Sequence, residues 1–201
     1  MFQSFTATST PDQGPPRLKT LRDLIAERGL TGFWVPRADA HQGEYVAPRD
    51  ARLEWLTGFT GSAGFCLVLP QIAGVFIDGR YRLQVRSQVA LDHFTPVPWP
   101  ETKPGDWLRD QLPQGGVIGF DPWLHTRDQI DKLEKALEGS GIVLPRVEPD
   151  HPALRQLIAQ PVAGFGFGPR HRCSNPSPPP PPPTKARLAS PRCAPSLPPW
   201  A

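Results

Sequence analysis

Gly58-Phe59-Thr60-Gly61-Ser62-Ala63-Gly64 leads into Phe65-Cys66-Leu67-Val68-Leu69, continues through Val75-Phe76-Ile77 and closes on Asp78-Gly79-Arg80-Tyr81. The apolar run from Phe65 to Leu69 is unbroken, which suits a strand covered on both faces; a half-exposed strand would alternate. Pro70-Gln71 and Gly74 interrupt the run, and Val75-Phe76-Ile77 begins a second buried strand. The two are expected to pair as an antiparallel hairpin. Asp78 stands where the second strand must stop. Its carboxylate can cap a following helix, in which Tyr81, Val85 and Val89 recur every four residues on one buried face. The glycines before the hairpin permit a tight turn and close backbone approach. A phosphate cradle is the other reading of such a loop, but the Lys-Ser/Thr of a P-loop is missing and the loop feeds a strand rather than a helix.

Working outward, Pro16 to Arg28 reads as a helix with Leu18, Leu21, Leu24 and Ile25 on one face, ended by Gly29. Phe33-Trp34-Val35 is a short strand stopped by Pro36. Arg37 to Asp50 is polar and turn-rich, and Arg52 to Leu56 makes one or two helical turns. After the hairpin, His93 to Trp99 alternates polar and apolar residues among prolines, as edge strands do. Asp106 is expected to cap a short helix to Leu112. Val117 to Phe120 is a buried strand, and Thr126 opens a helix whose Ile130, Leu133, Ala136 and Leu137 share a face. Ile142-Val143-Leu144 is the last strand. Helices and strands alternate around one hairpin, so the fold class is α/β, a mixed β-sheet flanked by helices.

The ends differ in character. Residues 1–15 read as a flexible leader, 16–148 as the folded domain, and 149–201 as a disordered Pro/Arg/Ser-rich tail. Half of the chain's 28 prolines and six of its 22 Lys or Arg follow Asp150, with no Asp or Glu. Such a segment cannot bury enough surface to offset its ordering entropy. Its run Pro178 to Pro183 suits polyproline II and would fit aromatic-lined grooves, which leaves a proline-rich interaction protein as one reading. The net charge of +3 therefore belongs to the tail, because residues 1–150 carry 16 basic against 19 acidic side chains. A basic face for nucleic acid is not indicated. Cys66, Cys173 and Cys193 have no metal-type spacing. Neither a signal peptide nor a membrane span is expected, and the cytoplasm is the expected location.

Several residues invite a chemical role. Arg80 is the leading candidate, because a guanidinium fork can grip a carboxylate or a backbone carbonyl; the competing reading pairs it with Asp78 or Glu44 for orientation only. His41 and Glu44 read as loop-fixing hydrogen-bonders, with a cleft role for His41 as the alternative. Ser62 has no neighbouring base in the sequence. Asp121 before Pro122 closes a turn, and His125 belongs to a capping region.

The glycine loop, hairpin and Asp78-Gly79-Arg80-Tyr81, together with Asp39-Ala40-His41-Gln42-Gly43-Glu44-Tyr45-Val46-Ala47-Pro48 upstream and Val117-Ile118-Gly119-Phe120-Asp121-Pro122 downstream, resemble the N-terminal, creatinase-like domain of the aminopeptidase P (Xaa-Pro aminopeptidase) family. The resemblance covers roughly residues 16 to 148. It implies a mixed sheet flanked by helices and an accessory domain that walls the cleft of a metallopeptidase. It also implies that Arg80 helps bind peptide and, more weakly, that His41 does. The family's two divalent metal ions, manganese by expectation, sit on Asp, Asp, His, Glu and Glu of a later domain, so no catalytic or metal-binding residue is assigned here and the chain alone is expected to be inactive. The implied partner is a peptide with proline at position two, with no nucleic acid or membrane, and the family allows a homo-oligomer. A stand-alone small-ligand or peptide-binding module is the rival reading. After Val147 the chain departs from the family pattern, and its acid-free continuation resembles out-of-frame translation, a reading that the sequence of the locus tests.

Overall fold

The computed structural model describes residues 9–147. Its strands are β1 (Gly32–Pro36), β2 (Gly64–Val68), β3 (Ala73–Ile77), β4 (Thr95–Pro98), β5 (Gly116–Phe120) and β6 (Ile142–Val143). Its helices are α1 (Gly14–Glu27), α2 (Arg52–Thr57), α3 (Gln84–Gln88), α4 (Pro104–Gln111) and α5 (Arg127–Leu137). The strands form one six-stranded sheet in the order β4-β3-β2-β1-β5-β6. β2 is antiparallel to both of its neighbours, and the remaining pairs are parallel. The expected hairpin is therefore present, with Phe65 opposite Phe76 and Cys66 opposite Val75.

Both faces of the sheet are covered, which explains the unbroken apolar runs. On one face Phe33, Val35, Cys66, Val68, Val75 and Ile77 pack against Leu18, Leu21 and Ile25 of α1, Leu53 and Leu56 of α2, and Val85 of α3. On the other, Trp34, Leu67, Phe76, Ile118 and Phe120 pack against Trp107 and Leu108 of α4 and against Ile130, Leu133 and Leu137 of α5. Each large apolar side chain buried in these layers contributes roughly 1.5–3 kcal/mol. Cys66 is fully buried, and desolvation pushes its thiol well above the ordinary range, so it acts as a small hydrophobe.

Local signals decide most element ends. Thr126 accepts a hydrogen bond from Gln129 N at 3.2 Å while Gln129 Oε1 accepts one from Thr126 N at 2.9 Å, a complete capping box for α5. Other ends differ from expectation. α1 begins at Gly14 and follows a 3-10 turn at Pro11–Gln13, and Ser9 Oγ lies 2.8 Å from Gly58 O and 2.9 Å from Gln88 O. Residues 9–15 thus pack on the domain, whereas residues 1–8 and the tail from 149 lie outside the described residues. Asp106 is not the cap of α4. Pro104 takes the first helical turn, where its missing N–H costs nothing, and Asp106 follows inside that turn. Ala136 is exposed rather than on the buried face of α5. The helix expected after Asp78 is also interrupted: a 3-10 turn (Gly79–Tyr81) precedes α3, and Tyr81 is only half-buried. The edge strand β4 carries Pro96 and Pro98.

Candidate functional site

Because β1, β3 and β5 run in one direction, the loops leaving Pro36, Ile77 and Phe120 gather at one end of the sheet. The loop that feeds the antiparallel β2 joins them there. This carboxyl end of the parallel strands is where open α/β sheets place ligands.

The glycine-rich loop is held from several sides. Gly58 ends α2 in the left-handed region (φ 85°), and a Cβ there would lie 2.5 Å from Gln88 O. Phe59 is buried, its backbone N–H donating to Thr57 Oγ1 at 3.1 Å. Gln88, buried at the end of α3, receives Thr60 N on its Oε1 at 3.0 Å and donates its Nε2 to Thr60 Oγ1 at 2.8 Å. Ser62 at the exposed tip pairs with the Tyr81 hydroxyl. That hydrogen bond holds the Tyr81 phenol below its ordinary range. It also explains why Tyr81 stays near the rim, edge-on to Phe59 at 5.6 Å, instead of entering the core with Val85 and Val89.

Arg80 stands beside this pair. Asp78 Oδ1 accepts from Arg80 N at 2.9 Å, capping the turn, and its carboxylate also takes Arg80 Nε at 3.0 Å and Nη2 at 2.5 Å. The Arg80 guanidinium lies 5.2 Å from the centre of the Tyr81 ring. Its hydrogen bonds hold the Asp78 carboxyl below the usual carboxylate range. Since the Arg80 side chain remains 68% exposed, the ion pair orients the guanidinium without burying it. Arg80→Ala is expected to leave the urea midpoint of the chain unchanged; a clear loss of stability would make Arg80 a structural residue only.

His41 lies in the exposed loop after β1, on a different strand end from Arg80. His41 and Glu44 help fix the loop through their backbones and not their side chains: Asp39 Oδ1 accepts from His41 N at 2.9 Å and Gly43 N at 3.0 Å, bonds that lower its carboxyl pKa, and Glu44 O accepts from Arg37 Nη2 at 3.1 Å. Gln42, in the left-handed region (φ 55°), donates its Nε2 to Leu124 O at 3.1 Å and so ties this loop to the one after β5.

Beneath that tie lies a polar cluster that sequence reasoning missed. Asp121, buried at the end of β5, forms an ion pair with Arg52 at the start of α2. His125 Nδ1 lies 3.0 Å from Asp121 O, and its ring sits 4.3 Å from that of Trp34. Trp34 Nε1, Arg52 Nε and His125 Nε2 are buried without hydrogen-bond partners among the described residues. Burial holds the His125 imidazole below its ordinary 6.5, with a smaller opposing pull from the Asp121 carbonyl. An unfolded histidine takes up its proton near 6.5 and the folded one only at lower pH. His125 therefore contributes stability that is fully present above pH 6.5 and lost as pH falls through the interval below it. The urea midpoint is expected to drop between pH 7.5 and 5, and His125→Asn to flatten part of that drop; an unchanged slope would rule out this histidine as its source.

Among the described residues no group of three or more His, Cys, Asp or Glu side chains is placed to hold a metal ion, so the donor set for a dinuclear centre is not found in them. No helix among them is long and apolar enough to cross a membrane.

Residues 17–156 match the family described as the Creatinase/Prolidase N-terminal domain, and the chain belongs to that family. Xaa-Pro aminopeptidase 2 of Homo sapiens is 37% identical over 123 residues, covering 61% of this chain and 18% of the relative. A probable Xaa-Pro aminopeptidase P of Coccidioides posadasii is 37% identical over 139 residues, covering 68% and 21%. The chain thus spans about a fifth of the length of these curated relatives. Among solved structures, X-prolyl aminopeptidase of Caenorhabditis elegans, described as a cytosolic enzyme with a di-nuclear active site, superposes with a TM-score of 0.63 at 30% identity, over 73% of this chain and 26% of that one. The N-terminal domain of the cytoplasmic peptidase PepQ of Mycobacterium tuberculosis superposes with a TM-score of 0.53 at 28% identity, over 71% of this chain and 98% of that one.

Proposed function

We propose that this chain is the accessory N-terminal domain of an Xaa-Pro aminopeptidase, inactive by itself, whose loop end walls the cleft of a metal-bearing catalytic part. The carrying observation is that the chain belongs to a family of N-terminal domains and spans only about a fifth of the length of these aminopeptidases. Three large apolar side chains also stand exposed on the loops of that end: Tyr45 at 87%, Leu83 at 86% and Trp123 at 56%. Apolar groups left open at one end of a domain suit a surface that another part of a larger protein covers. In the intact enzyme Arg80 would hydrogen-bond the bound peptide, with His41 a weaker contact from the neighbouring loop. The substrate would be a peptide with proline at position two. The two divalent ions, manganese by expectation, would polarise the scissile carbonyl and activate water on residues outside this domain. A cytoplasmic, homo-oligomeric enzyme fits the same reading. The domain would occupy residues 16–148 together with the segment 9–15 that packs on it.

Assayed alone on an Xaa-Pro dipeptide with added manganese, the purified chain is expected to release no amino acid above background. Metal-dependent turnover by this chain would overturn the proposal. In an intact enzyme carrying the same domain, Arg80→Ala is expected to raise KM with little change in kcat, because a contact made equally in ground and transition states is lost. A stand-alone peptide-binding module is the second reading; it requires a domain of this kind to fold alone, as the separately solved N-terminal domain of PepQ does.

A further inference from the structure

We propose that His125 is an acid-sensitive latch: a proton taken up on its buried ring releases the loop after β1 from the loop after β5 while the sheet stays folded. The ring lies against those of Trp34 of β1, 4.3 Å between centres, and Phe120 of β5, 5.6 Å. Its Nδ1 faces Asp121 O at 3.0 Å. A carbonyl oxygen can only accept, so the neutral ring carries its proton on Nδ1 and leaves Nε2 as a bare lone pair. Nε2 is buried without a partner among the described residues. A neutral ring tolerates that state; an imidazolium does not, because its new N–H carries charge with nothing to accept it. The charged groups that face the ring among the described residues are Asp121 and, from α2, Arg52. Asp121 is already committed, one carboxylate oxygen to Arg52 and the other to Trp123 N at 2.9 Å. Arg52 repels a second cation. The face of Trp34 returns something to an imidazolium, but one cation–π contact is small beside the hydration that a buried, unpaired charge loses.

A protonated His125 finds relief by leaving this slot for water, and its backbone is wired to the neighbouring loop. His125 shares a peptide unit with the Leu124 carbonyl, which accepts Gln42 Nε2 at 3.1 Å. Leu124 N in turn donates to Asp121 O at 3.1 Å, the same oxygen that His125 Nδ1 faces. Withdrawing the ring unloads that oxygen and re-aims the Leu124 carbonyl. On the other side of the tie, Gln42 sits at φ 55°, a left-handed conformation uncommon for its kind of side chain. Residues held there persist only while their surroundings fix them. Gln42 N and Nε2 both reach Asp39 O at 3.2 Å, within the loop itself, and Leu124 O is the hold from outside it. With that hold gone, Gln42 relaxes and the loop that carries His41 and Tyr45 is set free. The closed ring resists a proton that the open ring takes at ordinary pH, so opening takes up a proton and acid favours it.

The test follows the full chain, labelled with nitrogen-15, by NMR between pH 6.5 and 5. Exchange of the Gln42 and Gly43 backbone amides, corrected for the intrinsic effect of pH, is expected to quicken by about tenfold per pH unit, the slope for one proton taken up on opening. The Gln42 side-chain amide signals should move toward those of free glutamine while the Cys66 and Val75 amides of the hairpin keep their folded shifts. Asp39, whose carboxylate holds Gly43 N, stays ionised across this range, because its backbone hydrogen bonds keep its carboxyl below the usual carboxylate range. His125→Phe fills the slot with a ring that takes no proton and should abolish the slope; His125→Asn, equally unable to take one, replaces it if the Phe variant does not fold. His41→Asn should leave the slope intact, which excludes the histidine of the loop itself as its source. A flat profile in the unmodified chain sinks the inference. So does loss of the folded hairpin shifts together with the loop, an unchanged slope in the folded His125 variant, or a slope that disappears in His41→Asn.

Discussion

Replacing Arg52 by methionine is expected to destabilise the domain by about 3–5 kcal/mol, the usual result of removing one partner from a buried ion pair. The side chains of Arg52 and Asp121 are 12% and 2% exposed, so Asp121 would keep its carboxylate in a site that water barely reaches. Trp123 N donates to its Oδ1 at 2.9 Å, which leaves one oxygen dependent on Arg52. The double variant Arg52→Met with Asp121→Leu removes the stranded charge along with its partner and should recover most of the loss. Urea melts of the single and double variants decide the matter. Additive losses would mean that the two residues act separately and that this ion pair does not tie the start of α2 to the end of β5.

Phe76→Ala should cost a similar amount, about 3–5 kcal/mol. Phe76 is fully buried in the middle of the hairpin, stacked on Phe65 at 4.6 Å and edge-on to Trp107 at 5.4 Å. Removing the ring leaves a cavity beneath α4, and the aromatic pairs add roughly 0.5–1.5 kcal/mol each beyond area burial. Tyr81→Ala should cost distinctly less, about 1–2 kcal/mol, because its ring is half-exposed and its hydroxyl partner Ser62 is in solvent. Equal losses for the two variants would place Tyr81 in the core and contradict the packing described here.

The hairpin was legible because run length and turn residues are local. Phe65 to Leu69 could only be a doubly covered strand, and Thr126 with Gln129 three positions on announced α5. Arg80 and Asp78 were equally legible as a pair two residues apart, though adjacency alone could not say that the arginine would stay exposed. What escaped were partners brought together from a distance. Arg52 and Asp121 are separated by 69 positions, and Thr60 and Gln88 by 28. Asp121 does close a turn, as expected, accepting from Trp123 N at 2.9 Å, but its second oxygen is committed to Arg52, a partner that no neighbouring residue announces. Asp39 was overlooked for a different reason. Its role is to gather backbone N–H groups, and any short polar loop containing an Asp offers that chance without announcing it.

The prolines of β4 have a consequence for how the domain behaves in crowded solution. Trp99 N donates to Ile77 O at 2.9 Å, so odd-numbered N–H groups of this strand face β3 and positions 96 and 98 face outward. Both outward positions are proline, which has no N–H to offer. An incoming strand would meet carbonyls without the alternating donors that a ladder requires. Sheet-to-sheet recruitment, strand exchange between copies and fibril growth are thereby closed off along β4. Among the described residues the opposite border of the sheet is β6, only two residues long and followed by a single bridge from Arg146 to Phe120, too little to template a neighbour. A sheet whose central strands are apolar on both faces can in this way remain a single unit at high concentration.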